Sequence, residues 1–303
     1  MKLKRIAILI ILGSLLVGLL TGCKPRFQSG TFTDDAGRQV TISEVPERIV
    51  SFGPSITEIL FALGLADEVV GVTDFCDYPE EAKGKPKVGS SFSPLIEKVV
   101  ELEPDLVLTV EHKQFNSELN GLGITFAILD PEDVNSILDT IRLAGEVTGK
   151  AAEAERLVQD MEKTISDVST RVKGASRVKV FFMVDGTDLN MPWTAGAGSF
   201  MHDIITMAGG ENIAASVVDD YVQLSIEEIV DAEPDIIVIQ TMTGGMPTVS
   251  AEELEEHLIW RQLSAVQQGN VYFIDGDIVS RPGPRIVQGL EEMARIIHPE
   301  LFD

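Results

Sequence analysis

The chain has 303 residues, with 48 acidic and 24 basic side chains, so its formal net charge is −24 at neutral pH. Such an acidic surface repels nucleic acid and anionic lipid headgroups, which argues against both as binding partners. The length suffices for two domains that each bury a core, and the two cysteines, Cys23 and Cys76, are too few for a disulfide framework.

The amino terminus has the three-part pattern of an export signal. Lys2, Lys4 and Arg5 precede 15 uncharged residues at positions 6–20, fewer than the about 20 that a membrane span needs. The sequence Leu-Thr-Gly-Cys then follows at 20–23 and resembles the bacterial lipobox, whose cysteine receives a diacylglyceryl group before cleavage. We therefore predict a signal peptide at 1–22, a lipid anchor on Cys23 and a tether over 23–30.

Strands alternate with helices along the rest of the chain. Ser55 is a candidate N-cap for a helix over 56–63 that Gly64 ends, and Ser199 is a candidate N-cap for a later helix that ends at Gly209. The predicted strands cover 48–51, 69–72, 106–110, 124–130, 178–184 and 271–275, with one more after Pro234. Strands without polar alternation are buried on both faces, so this pattern predicts an α/β fold with parallel sheets covered by helices.

Two stretches that lie 130 positions apart, 97–108 and 227–238, are almost alike. Each has apolar residues at helical spacing, then Glu-Pro-Asp, then an apolar strand. The order of elements around the two stretches repeats as well. The sequence therefore predicts two lobes of one design.

A long helical segment separates the two halves. Residues 134–147 and 150–172 lack proline and have apolar residues three and four apart, and we expect Gly145 and Gly149 to interrupt the helix between them. The second helix, of about 23 residues, is roughly 35 Å long. We predict an amino-terminal lobe at 31–149, a connecting helix at 150–173 and a carboxyl-terminal lobe at 174–303. One stiff helix between lobes favours small lobe motions.

Few residues of the sequence are candidates for catalysis or metal binding. The four histidines have no metal-ligand spacing, and the chain has no nucleophile elbow, Walker loop or dinucleotide fingerprint. His202 and His257 lie in predicted helices, whereas His112 follows a strand at the edge where α/β sheets bind ligands. Aromatic and charged residues occupy similar positions in both halves, and we expect them to line a cleft between the lobes: Phe75, Tyr78, Phe92, Trp193, Tyr221, Asp277, Arg281 and Arg285.

Several segments of the sequence resemble those of a known protein family. The segments 48–64, 72–79 and 97–108, with Pro-Trp-Thr-Ala-Gly at 192–196 and Arg-Pro-Gly-Pro-Arg at 281–285, resemble the solute-binding proteins of metal-chelate ABC importers, and most closely their cobalamin-binding branch. The resemblance implies two Rossmann-like lobes joined by one long backbone helix (class III), a monomer without enzymatic activity, and a permease dimer driven by a separate ATPase.

The resemblance also implies roles for particular residues. Glu97 and Glu227, one per lobe, correspond to the glutamates that dock into the permease. Phe75, Trp193, Tyr221, Asp277 and Arg281 correspond to positions around the corrinoid. One position departs from that branch, because its tryptophan falls on Ser91 here, with Phe92 one residue later.

Other functions remain open from the sequence. A ferric siderophore or haem could replace the corrinoid, with His112 or Tyr78 as a candidate axial ligand of haem iron. A secreted hydrolase with paired carboxylates and an adhesion module are further alternatives.

The export signal predicts a location at the cell membrane, facing the periplasm or the cell exterior.

Overall fold

A computed structural model describes residues 29–242 and 245–302. The predicted signal peptide, the Cys23 anchor and most of the tether lie outside these ranges. Within them, no helix is both long and apolar enough to cross a bilayer.

The first half of the chain builds a four-stranded parallel sheet. Its strands and those of two hairpins are β1 Gly30–Thr33, β2 Gln39–Ile42, β3 Ile49–Phe52, β4 Val69–Val72, β5 Gly89–Ser90, β6 Ser93–Pro94, β7 Leu106–Thr109 and β8 Phe126–Ile128. The helices are α1 Pro54–Ala62, α2 Ile96–Glu101, α3 Lys113–Gly121 and α4 Val134–Thr148, with a 3-10 turn at Glu80–Gly84. The sheet has the strand order β4-β3-β7-β8. The amino-terminal hairpin β1–β2, which the sequence analysis did not predict, docks beside β8, where Asp34 Oδ2 accepts a hydrogen bond from the Ile128 amide at 3.1 Å.

The second half builds a six-stranded mixed sheet after the long helix α5, Ala151–Arg171. The strands are β9 Val178–Asp185, β10 Trp193–Ala195, β11 Gly210–Asn212, β12 Tyr221–Gln223, β13 Ile236–Thr241 and β14 Val271–Asp275. They follow the order β12-β10-β9-β13-β14 in the sheet, and β11 pairs with β9. The helices are α6 Phe200–Met207, α7 Ile226–Ala232, α8 Ala251–Glu256, α9 Ser264–Gln267, α10 Gly276–Val279 and α11 Ile286–Ile297, with 3-10 turns at Trp260–Gln262 and Pro299–Leu301.

The predicted α/β architecture of two lobes and a connecting helix is therefore confirmed. The prediction of a wholly parallel sheet in the second lobe was wrong, because β10 pairs antiparallel with β9 and β12. Helix α5 packs against α4 of the first lobe and α11 of the second. One contiguous buried cluster includes Leu108 of the first sheet, Val158 and Met161 of α5, and Val238 of the second sheet. Each such side chain contributes roughly 1.5–3 kcal/mol by leaving water. The lobes thus share a core through α5.

The internal repeat has a shared hydrogen-bond pattern. Arg48 donates to the Leu102 carbonyl at 2.6 Å, and Lys179 donates to the Ala232 carbonyl at 2.9 Å. In both lobes the aspartate after the proline binds the backbone of that cationic residue: Asp105 accepts from the Arg48 amide and Asp235 from the Lys179 amide. The repeated Glu-Pro-Asp phrase therefore attaches the end of a helix to the start of the neighbouring strand.

Two local predictions were wrong. Ser55 is not an N-cap, because α1 begins one residue earlier at Pro54 after Gly53, and proline is preorganised for the first helical position. Gly145 does not interrupt a helix but lies inside α4, where an added Cβ would come within 2.4 Å of the Ala154 Cβ. The missing side chain lets α4 and α5 pack closely. The helix ends at Gly149, whose φ is 74°.

Candidate ligand-binding site

The carboxyl ends of the two sheets meet at the junction between the lobes. Asp77 follows β4 and Asp130 follows β8 in the first lobe, and Asp277 and Arg281 follow β14 in the second. Asp77 forms an ion pair with Arg281 at 2.7 Å. Parallel sheets bind ligands at this edge, so the junction is the candidate site.

The segment Arg-Pro-Gly-Pro-Arg at 281–285 lies across this junction. A Cβ added at Gly283 would lie 3.3 Å from the Ser55 carbonyl oxygen, which places the segment directly against the first turn of α1. Pro282 lines a pocket of 220 Å³ whose walls come from both lobes. Its other lining residues are Asp130, Pro131, Glu132, Ser199, Phe200, Asp220 and Tyr221. The segment therefore forms part of the floor between the lobes.

A group of five buried or partly buried charged residues holds this floor in place, and we call it the interlobe clamp: Glu58, Asp77, Asp277, Arg281 and Arg285. The Arg285 guanidinium donates two bonds to the Glu58 carboxylate, from Nε to Oε2 at 2.9 Å and from Nη2 to Oε1 at 2.6 Å. The Arg281 guanidinium bridges three acids, at 2.7 Å to Asp77, 2.7 Å to Asp277 and 3.3 Å to Glu58. Two-pronged contacts of this kind are among the strongest hydrogen bonds in proteins.

Burial and neighbouring charges have opposite effects on the pKa values of these groups. The Glu58 side chain is only 2% exposed, and burial raises the pKa of its carboxyl, a rise that the two guanidiniums limit. Burial also acts to raise the pKa of Asp77, but the hydrogen bond and charge of Arg281 outweigh it and hold that pKa below its ordinary value. Burial opposes the charge on Arg281, yet its acidic partners keep the guanidinium pKa above its usual value.

Sequence reasoning placed Asp277, Arg281 and Arg285 in the site but missed their acidic partners Glu58 and Asp77. A signal for Glu58 was present, because it is the one charged residue in the stretch 49–66. Its partners Arg281 and Arg285 are more than 220 positions away in sequence, so no local pattern indicates the ion pairs. In the structure, both arginines are bound to carboxylates beside the cleft.

Large exposed rings lie near the carboxyl ends of strands in both lobes. Phe75, after β4, is 50% exposed. Trp193 starts β10 opposite Asp185, the last residue of β9, and is 43% exposed. Rings of this size are usually covered in a folded protein, and exposed apolar groups often mark binding surfaces.

The other predicted aromatic contacts have different surroundings. Tyr221 lies in the edge strand β12 and lines the 220 Å³ pocket with Asp130. The Tyr78 ring lies 4.1 Å from the Arg285 guanidinium carbon and lines a lateral groove that reaches Leu157 of α5. Phe92 is 92% exposed at the tip of the β5–β6 hairpin.

His112 uses both ring nitrogens. As the N-cap of α3, its Nδ1 accepts a hydrogen bond from the Phe115 amide at 3.1 Å, and its Nε2 donates to the Ser91 carbonyl at 3.0 Å. The histidine thereby joins α3 to the hairpin that carries Phe92. A bond to iron would displace one of these contacts. Among the described residues, no group of three or more potential ligands could hold a metal ion.

The two candidate docking glutamates occupy equivalent places. Glu97 is the second residue of α2 and Glu227 is the second residue of α7, and both are exposed. The paired positions follow from the repeat, and both carboxylates lie in the first turn of a helix, where the helix dipole favours negative charge.

Comparisons with known proteins define the class. The sequence profile of the periplasmic binding protein family matches residues 49–278. An uncharacterised ABC transporter substrate-binding lipoprotein of Bacillus subtilis, YvrC, is 36% identical over 280 residues, which is 90% of this chain and 86% of that protein. A cobalamin-binding protein of Halobacterium salinarum is 30% identical over 279 residues, covering 88% of this chain and 74% of the relative.

A solved structure agrees with the fold. The periplasmic haem-binding protein RhuT of Roseiflexus in apo form superposes with a TM-score of 0.75 at 26% identity, covering 84% of this chain and 99% of that one. The two-lobed fold and these relatives define a substrate-binding protein of an ABC transporter, a class of transport proteins and not of enzymes. The chain belongs to the periplasmic binding protein family, as its motifs predicted.

Proposed function

We propose that this protein captures cobalamin or a related corrinoid between its lobes and delivers it to the permease of an ABC importer. The observation that carries the proposal is the pair of exposed rings, Phe75 and Trp193, near the strand ends of different lobes at the edges that meet in the junction. A corrin is broad and apolar on its faces with an amide-rich edge. Aromatic walls with polar groups at the rim suit such a guest.

The charge of the junction supports a corrinoid over an anionic siderophore. Both arginines near the floor are paired with carboxylates, and the clamp has three acids for two guanidiniums. Asp130, Glu132 and Asp220 add further acids to the 220 Å³ pocket. An anionic chelate would meet repulsion here, whereas amide groups can donate hydrogen bonds to these carboxylates.

Haem is the second candidate, because the chain resembles the haem-binding protein of Roseiflexus. Its candidate axial ligands are His112 and Tyr78. The His112 nitrogens are both in hydrogen bonds, and the Tyr78 ring packs on Arg285. Ligation by His112 would break one of its two hydrogen bonds, whereas the ring contact of Tyr78 does not involve its hydroxyl, which makes Tyr78 the better axial candidate.

Delivery would use the exposed Glu97 and Glu227. One acidic contact per lobe matches a permease dimer that presents two equivalent basic pockets. A lipid on Cys23 would keep the exported protein at the membrane, facing the periplasm or the cell exterior, and a separate ATPase would supply the energy.

Calorimetric titration of the purified protein with cyanocobalamin, haemin and a ferric hydroxamate tests the ligand. We expect saturation by cyanocobalamin with one site per chain, and weaker or no binding of the other two. Saturation by haemin or the hydroxamate with no heat from the corrinoid would remove the proposal.

A further inference from the structure

We propose that Glu58 is a positioning residue for the ligand site. Its buried carboxylate fixes Arg281 and Arg285 across the junction, and through them it sets the position of the floor segment 281–285. The binding part of this inference rests on the proposed function, whereas the structural part does not.

The clamp links the two lobes by side-chain contacts, in addition to their covalent connection through α5. Glu58 and Asp77 belong to the first lobe, and Asp277, Arg281 and Arg285 belong to the second. The Glu58 carboxylate receives hydrogen bonds from both guanidiniums of the other lobe. Moving the lobes apart would separate the Glu58 carboxylate from both guanidiniums and Asp77 from Arg281, and would leave Arg281 with Asp277 alone among the clamp acids. Separating largely buried charge pairs in this way is unfavourable.

Glu58 acts on a ligand only through other residues. Its side chain is only 2% exposed and its carboxylate is bound to the two arginines, so its effect on a guest between the lobes passes through them. The arginines are at the two ends of the floor segment, whose Pro282 lines the pocket beside Tyr221 and whose Gly283 lies on Ser55. Losing the Glu58 charge therefore frees the Arg285 end of the floor and weakens the hold on Arg281, which keeps its contacts with Asp77 and Asp277.

Hydrogen–deuterium exchange on the full-length protein in detergent tests the structural part. We expect Glu58→Gln to accelerate amide exchange about tenfold across residues 276–289, where two buried cations lose their shared partner, with β13 unchanged. The matched control is Glu81→Gln. Glu81 is exposed and lines the same lateral groove as Glu58 and Tyr78, so its substitution removes an equal charge and should leave exchange at the wild-type rate. Unchanged exchange over 276–289 in Glu58→Gln would overturn the inference.

A paired variant separates positioning from a general loss of structure. Glu58→Gln with Arg285→Met removes both partners of the two-pronged contact, so it leaves fewer unpaired buried charges and restores slow exchange at least in part. Exchange as fast in the pair as in Glu58→Gln counts against the clamp. If Glu58→Gln does not fold, Asp77→Asn at the more exposed edge of the clamp is the substitute, with a smaller acceleration over the same residues.

Dissociation of cyanocobalamin, followed by stopped-flow absorbance, tests the binding part. We expect about tenfold faster release from Glu58→Gln than from wild type and no change in Glu81→Gln. An unchanged release rate alongside faster exchange would contradict the positioning role. If wild type binds no corrinoid while exchange still accelerates in Glu58→Gln, the structural role of Glu58 is supported and the proposed corrinoid ligand is rejected.

Discussion

Glu103 and Glu233 share an uncommon backbone conformation. Their φ angles are 44° and 51°, and they are the non-glycine residues of the described chain with positive φ. Each lies between the end of a helix and the Pro-Asp step that starts the next strand. A side chain in this region costs roughly 1–2 kcal/mol, which each lobe offsets with the aspartate and cation contacts of the repeat.

Glycine at either position should therefore stabilise the fold. We expect Glu103→Gly and Glu233→Gly each to raise the free energy of unfolding by about 0.5–1 kcal/mol, since strain relief exceeds the added chain entropy. Denaturant unfolding of the two variants measures this. The control Asp167→Gly, at an exposed position inside α5, should lose about 0.3 kcal/mol, the difference in helix propensity between aspartate and glycine. A loss of stability in both glutamate variants would contradict the strain argument.

The lowered pKa of Asp77 predicts a pH-dependent contribution to stability. A carboxyl whose folded-state pKa is lowered stabilises the fold above its unfolded pKa of about 3.9, and this contribution disappears as the pH falls through the folded value. Wild type should therefore exceed Asp77→Asn in unfolding free energy at pH 6, with the gap closing below about pH 4. Denaturant unfolding at both pH values measures the gap. A gap that stays constant or widens in acid would exclude the Arg281 pairing as its cause.

The repeated helix-strand unit was predictable from sequence because its signals are local. Proline, the apolar strand and helical spacing all lie within twelve residues. The capping prediction at Ser55 failed because Gly53 and Pro54 supply a competing start, and proline needs no capped amide at the first helical position. The β1–β2 hairpin was missed because its attachment to the lobe depends on Ile128, which lies far away in sequence.

The contact between α4 and α5 depends on Gly145. Its missing Cβ would meet the Ala154 Cβ at 2.4 Å and the Lys150 carbonyl at 3.0 Å. We expect Gly145→Ala to lower the free energy of unfolding by about 1–3 kcal/mol, because the two helices must separate. Gly121→Ala is the control, since that helical glycine has open space around it and should gain about 0.4–1 kcal/mol. Equal effects of the two changes on thermal unfolding would contradict close helix packing as the cause.

The site as a whole was only partly predictable. The aromatic and charged loop residues follow from one rule, that parallel sheets bind ligands at strand ends. The pairing of Glu58 with Arg281 and Arg285 joins residues from opposite lobes, and no local pattern encodes such a contact. The surroundings of Tyr78 and His112 likewise depend on which neighbours the folded chain brings to them.

Docking and capture should be separable functions. We expect the double variant Glu97→Ala, Glu227→Ala to bind cyanocobalamin with wild-type affinity but to lose uptake in whole cells, because both glutamates are exposed away from the clamp. Radiolabelled corrinoid uptake and calorimetry measure the two properties. The control removes two other exposed acids, one in α5 and one in α8, as Asp167→Ala with Glu255→Ala, and should keep both. Normal uptake by the Glu97 and Glu227 variant would contradict the docking assignment.

The affinity for cyanocobalamin in ring-deleted variants tests most directly whether both lobes hold one guest. Calorimetry should give dissociation constants about tenfold or more above wild type for Phe75→Ala and for Trp193→Ala, since each removes one apolar wall. Phe273→Ala, whose ring is 39% exposed in the middle of β14, should bind as wild type does. Wild-type affinity in either Phe75→Ala or Trp193→Ala would contradict capture between the lobes.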